Sequence, residues 1–187
     1  MKNLTAAIKE DHDEMYEYHA LYQKARESGN VDAQERWARQ LIWEIARHAV
    51  GEEIIVYPLM EAKLGQKGIE LADHDRREHQ VVKILLSKLE GLTPVMEHLK
   101  PHNDDEEKTD LPMLEPVLGE AASQDAASQF SRTKKFVPTR AHPSAPNRPP
   151  YEILVGFLAM PLDKLQDLFA KFPTEEMKSN AKEELGG

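Results

Sequence analysis

The chain has 187 residues, a formal charge of −9, a pI near 5.4 and no cysteine. The acidic balance, with no Lys/Arg-rich block, argues against a nucleic-acid or anionic-membrane surface. The absence of cysteine rules out disulfides, thiolate nucleophiles and Fe–S clusters, so any metal has to be held by nitrogen and oxygen. The N-terminal MKNLTAAIKEDHDE lacks a signal-peptide core, and no run approaches the roughly 18 apolar residues of a membrane span. This reads as a cytoplasmic chain built on one main domain.

In chain order, Leu4, Ile8, His12, Met15, His19 and Tyr22 recur at steps of three and four, predicting a first helix that ends near Ser28-Gly29-Asn30. Trp37, Leu41, Ile45, His48, Glu52, Ile55 and Leu59 predict a second, with Pro58, Gly65 and Gly68 marking its end. Leu71, Val82, Leu85, Leu86 and Leu89 predict a third, with His74, Glu78 and His79 at its N-terminal end. Val95, Leu99, His102, Glu106, Met113 and Val117 predict a fourth, bent or bounded by Pro101 and Pro112. The expected fold is therefore all-α, an up-down four-helix bundle over residues 1–118.

The remainder changes character. Residues 119–150 begin polar and Ala/Ser-rich, with room for a short helix, then become Pro-rich in FVPTRAHPSAPNRPP. Phe130, Phe136 and Val137 are the expected anchors of this segment on the bundle. Residues 151–187 give a last helix through Ile153, Leu154, Phe157, Leu158, Leu162, Leu165, Leu168 and Phe169, expected to dock on the bundle, and a frayed tail from Lys178.

One pattern occurs twice: HAVGEEIIVYP from His48 and HNDDEEKTDLP from His102 share the order His, three residues, Glu-Glu, four residues, Pro. Residues i and i+4 project from one helix face, so His48 with Glu52, and His102 with Glu106, each turn an imidazole and a carboxylate inward. Buried carboxylates without partners are unfavourable, and a cation at their focus removes the conflict. Imidazole with carboxylate suits Fe, Mn or Zn, and helical bundles hold bridged iron or manganese pairs in this way, which favours iron. A lone HxxxE is most often an exposed helix pair; two of them on core stripes are not. Glu53 and Glu107 lie about 100° around from the claws and, with Glu78, read as groups behind the ligands or as possible ligands. His19 and Tyr16 are candidates for proton transfer. Tyr57 and Trp43 read as space-filling, and His98 and His142 as surface residues.

The sequence His12, His48-x-x-x-Glu52, a histidine on the third helix, His102-x-x-x-Glu106 resembles the hemerythrin-like HHE domain family over about residues 1–118. The resemblance implies a four-helix bundle around a non-heme di-iron centre, with His12, His48, Glu52, His79, His102 and Glu106 as ligands and Glu52 and Glu106 as bridges. The segment from FSRTKK through the final helix is similar to a C-terminal extension of fungal members. On the third helix DHDRREH leaves two choices. The Glu78-His79 dipeptide matches the family, whereas Asp73-His74-Asp75 echoes Asp11-His12-Asp13 and makes His74 the counterpart of His12, so both stay as candidates. Glu106, where oxygen carriers have an aspartate one position later, shifts the expectation from simple oxygen carriage toward oxidation chemistry or sensing.

Three function classes follow. The first is a di-iron protein that binds or reacts with O2, NO or peroxide, or senses iron and oxygen. The second is a di-iron oxidase or oxygenase with a small organic substrate in an apolar cavity beside the metals. The third is an interaction module stapled by a saturated structural metal.

Overall fold

A computed structural model describes residues 2–88, 91–149 and 151–185; Leu89 lies outside them. Among the described residues the secondary structure is helical, with no strand. No described helix is long and apolar enough to cross a membrane.

Helix α1 (Leu4–Glu27) starts where Asn3 accepts a hydrogen bond from the Ala6 amide and ends at Gly29, whose φ of 70° lets the Asn30 amide reach back to Ala25. Asn30 then caps the next helix through the Ala33 amide. Helix α2 (Val31–Lys88) supplies both the second and third arms of the bundle. Pro58 does not end the first arm, as the sequence suggested. It sits inside the helix, and the chain turns instead at Gly65, where φ 57° and ψ −136° are open to glycine alone. Gly68 belongs to the second arm and lies against the Met60 carbonyl of the first.

The fourth arm is α3 (Thr93–Asp105), a π turn at Glu106–Asp110 and α4 (Leu111–Leu118). The Leu111 amide reaches Glu106 O, five residues back, just before Pro112 withdraws its own N–H. That extra residue shifts the buried face. Met113 and Val117, expected inside, are 38% and 52% exposed, and Leu111 and Leu114 are buried in their place.

Two apolar clusters result. One contains Met15, Leu41, Ile45, Val82, Leu86, Val95 and Leu99; the other contains Leu4, Ile8, Val56, Tyr57, Met60, Leu111 and Leu114. On every arm the inward-facing His and Glu residues fall between members of the two clusters, so a polar layer is sandwiched between apolar halves.

Helix α5 (Glu120–Thr133) lies across this bundle: Ser123 Oγ accepts from the Leu4 amide at 2.8 Å, and Phe130 is fully buried. The Pro-rich segment then follows the second arm of α2, which grips its backbone through Gln80 to Pro143 O and Arg76 to Asn147 O. Val137 is buried as expected, but Phe136 is 59% exposed. Helix α6 (Tyr151–Asp167) is tied to this segment by Asp163, which accepts from the amides of Thr139 and Arg140. Leu162, Leu165, Leu168 and Phe169, expected to dock, are exposed instead, while the side chains of Ile153, Leu154, Phe157 and Leu158 lie outside what the structure describes. The tail expected to fray forms α7 (Glu175–Leu185), where Met177 and Ala181 pack on the cluster containing Trp37.

Candidate metal centre

Each arm delivers one imidazole to the polar layer. His12 comes from α1, His48 and His79 from the two arms of α2, and His102 from α3, all at most 4% exposed. Between them stand Glu52 and Glu106, equally buried. The side chains form two groups, His12/His48/Glu52/Glu106 and His79/His102/Glu52/Glu106, each with one donor atom per residue within 4.8 Å of the rest.

The two carboxylates divide their oxygens between the groups. Glu52 Oε1 lies 3.2 Å from His48 Nε2, while Oε2 lies 3.4 Å from His79 Nε2. Glu106 Oε2 lies 3.7 Å from His12 Nε2, while Oε1 lies 3.8 Å from His102 Nε2. His12 Nε2 and His48 Nε2 are 3.1 Å apart. Both Glu52 oxygens, Glu106 Oε2 and His102 Nε2 are buried and make no hydrogen bond within the protein. Buried polar groups ordinarily find partners, and four such atoms aimed at one focus fit a bound cation.

Electrostatics lead to the same conclusion. Burial pushes the Glu106 carboxyl well up, as does the neighbouring Glu52. Burial also acts against Glu52, yet the His48 and His79 rings hold it well below the ordinary range. Burial lowers His48 less than Glu52 and Asp11 raise it, leaving it at about 9. His12 is pulled down to about 4 by burial and by the charge on His48. A divalent ion at the focus would displace protons from these rings and carboxyls.

The opposite ring nitrogens face carboxylates. His12 Nδ1 donates to Glu107 at 2.9 Å, His48 Nδ1 to Asp11 at 3.0 Å, and His79 Nδ1 to Glu53 at 3.2 Å. Asp75 faces His102 Nδ1 at 4.0 Å. The three hydrogen bonds fix the tautomer that presents Nε2 to a metal and orient the ring. Glu53 and Glu107, each one residue past its claw, serve His79 and His12 in the same way, so the repeated motif carries a two-fold pseudosymmetry. His79 is therefore the counterpart of His12.

His74 is exposed and outside the cluster. Five residues from His79 is about 140° around the helix, which turns the side chain away from the centre. The echo of Asp11-His12-Asp13 in Asp73-His74-Asp75 marks the aspartates instead: Asp11 and Asp75 both face ligand-type rings. Glu78 is also apart from the cluster, paired with His98 at 3.0 Å. Tyr16 and His19 line an open groove between α1 and α3 with Lys100 and Asp104, rather than the centre itself. Trp43 lies under the Arg47 guanidinium and beside Phe172.

Tyr57 is the residue that the sequence reading undervalued. Its hydroxyl donates to Glu106 Oε1 at 3.2 Å and lies 3.1 Å from His79 Nε2, so it enters the second group as an additional oxygen. Its place in HxxxEExxxYP, five residues after Glu52, was the available signal.

The sequence profile of the hemerythrin HHE cation-binding domain matches residues 3–114. An uncharacterised hemerythrin-like protein of Schizosaccharomyces pombe is 45% identical over 184 residues, covering 92% of this chain and 89% of that protein. No solved structure matches the chain. With a profile spanning more than half of its length and a relative aligned along nearly all of it, this chain belongs to the hemerythrin HHE cation-binding family.

Proposed function

We propose that the chain is a non-heme di-iron protein that binds or reacts with O2, NO or peroxide, or reports their presence. The observation that carries this reading is the division of Glu52 and Glu106 oxygens between two histidine pairs, which would let both carboxylates serve two ions. Two imidazoles with carboxylate oxygen and no thiolate suit iron, which in such settings keeps positions open for a further ligand. A bound iron pair supplies redox chemistry and Lewis acidity; the protein supplies ring orientation through the outer carboxylates and a layer closed to bulk water.

A partly open apolar cavity between the two arms of α2 and the Pro-rich segment measures about 30 Å³. It is lined by Ala49, Val50, Val82 and Pro138, among others, and has room for a few atoms only. A saturated metal staple is disfavoured for iron, because four donors in one group, and four with Tyr57 beside them in the other, fall short of octahedral coordination.

The test is metal content of anaerobically purified protein, with the visible spectrum before and after exposure of the ferrous form to O2. Two irons per chain and an oxygen-dependent band are expected. A His48→Ala, His102→Ala double variant should bind none, while His74→Ala stays fully loaded. Full loading of the double variant, or a single unreactive zinc in the wild type, would overturn the assignment.

A further inference from the structure

The family profile ends at residue 114, yet the side chains that complete the His48 side of the centre come from beyond it. Phe130 of α5 stands edge-on to the His48 ring, with centroids 5.6 Å apart and planes at 89°. Gly51, next to Glu52, makes room for it: a Cβ there would lie 2.8 Å from Phe130 Cε2. Just past the helix end, the Lys134 ammonium reaches down to Asp11, the carboxylate that accepts the hydrogen bond from His48 Nδ1, and to Glu44 at 3.0 Å. Arg47 fixes the Lys134 backbone by donating Nε to its carbonyl at 2.7 Å.

We propose that α5 and Lys134 are part of the metal centre, with Lys134 a positioning residue that holds the Asp11 carboxylate against His48. This rests on the metal-binding reading above. Each hydrogen-bonded outer carboxylate has a lysine: Lys83 for Glu53, Lys9 for Glu107 and Lys134 for Asp11. Of these three, Lys134 alone comes from outside the four arms of the bundle. Its loss would leave Asp11, Glu14 and Glu44 with the Arg47 guanidinium as a neighbouring cation but without the ammonium that joins Asp11 to Glu44, and the repulsion would loosen the carboxylate from His48. The His48 ring would then lose the acceptor that fixes its Nε2 toward the metal.

Co(II) titration of the full-length chain, followed by visible absorption, tests this. Wild type should take up two Co(II), Lys134→Met should weaken binding tenfold or more, and Lys134→Arg should stay within threefold of wild type. Lys135→Met, one residue on and exposed, serves as the control. A role through Asp11 requires non-additivity, so in an Asp11→Asn background Lys134→Met should change affinity less than twofold. A purely structural strap would give losses that multiply, and that result, or Co(II) affinity in Lys134→Met within twofold of wild type, overturns the proposal. If Lys134→Met does not fold, Lys134→Gln is read by the same criteria. A wild type that binds no Co(II) removes the metal reading and this inference together; normal wild-type binding with an indifferent Lys134 removes this inference alone.

Discussion

Replacing Gly68 by alanine tests how the two arms of α2 are set against each other. Those arms carry His48, Glu52 and Tyr57 on one side of the Gly65 turn and Asp75, His79 and Lys83 on the other. A Cβ at position 68 would lie 1.9 Å from the Met60 carbonyl oxygen and 2.5 Å from its carbon, both backbone atoms. Ordinary C···O contact is about 3.3–3.6 Å, so the overlap is roughly 1.5 Å, and no rotamer change relieves it. Overpacking of this kind costs about 1–3 kcal/mol, here at the upper end, against a gain of about 0.5–1 kcal/mol from replacing a helical glycine. The net loss is about 2 kcal/mol, or roughly 4–8 °C in Tm for a chain of this size. Thermal unfolding monitored by circular dichroism measures it, and metal affinity should fall with it because the arms spread where they hold the ligands. A Tm equal to wild type or higher would show that helix propensity outweighs the contact and that the arms are not fixed at Gly68.

Two further outcomes follow from the polar layer. In the chelated chain, burial and Asp110 push the Asp75 carboxyl up to about 8 from its ordinary 3.8. A raised folded-state pKa means stabilisation that is complete below about pH 4 and is lost as pH rises through 8. Asp75→Asn should therefore become more stable relative to wild type across that window, by at most about 1.4 kcal/mol per pH unit; parallel urea midpoints against pH would contradict the burial argument. Chelation itself should lower Tm yet leave cooperative unfolding, because apolar clusters flank the layer on both sides. Loss of the helical circular dichroism on chelation would mean that those clusters do not suffice.

The helical arms were legible because their apolar periodicity is strong and Gly29 closes α1 by a known motif. Periodicity failed where the helix itself changes pitch. A π turn adds a residue per turn, so Met113 and Val117 were assigned to a face that Leu111 and Leu114 occupy. Pro58 misled in the opposite direction: a proline removes one hydrogen bond and need not end a helix that is packed on both sides. The apolar C-terminal helix shows a further limit, since hydrophobicity predicts burial but not which neighbour provides it, and Leu165, Leu168 and Phe169 are left exposed.

The residues that meet at the focus were legible for a different reason from those that orient them. His48-Glu52 and His102-Glu106 repeat at a spacing set by helix geometry, and such spacing can be seen along one chain. The partners of the rings cannot, because each lies on another arm: Asp11 on α1 serves His48 on α2, and Glu107 after α3 serves His12 on α1. These crossed contacts lace the four arms through the polar layer, so ring orientation and helix packing depend on one another. The charges follow the same logic. Three outer carboxylates carry lysines, and their charge is largely spent locally, leaving Glu52 and Glu106 as the two that face the focus directly. Two divalent ions there would keep a net positive field in a water-poor layer, which favours small anions or ligands that become anionic on reduction. The chemistry is therefore set as much by the lysines behind the outer carboxylates as by the ligands, and that makes Lys134, outside the bundle, a lever on the centre within it.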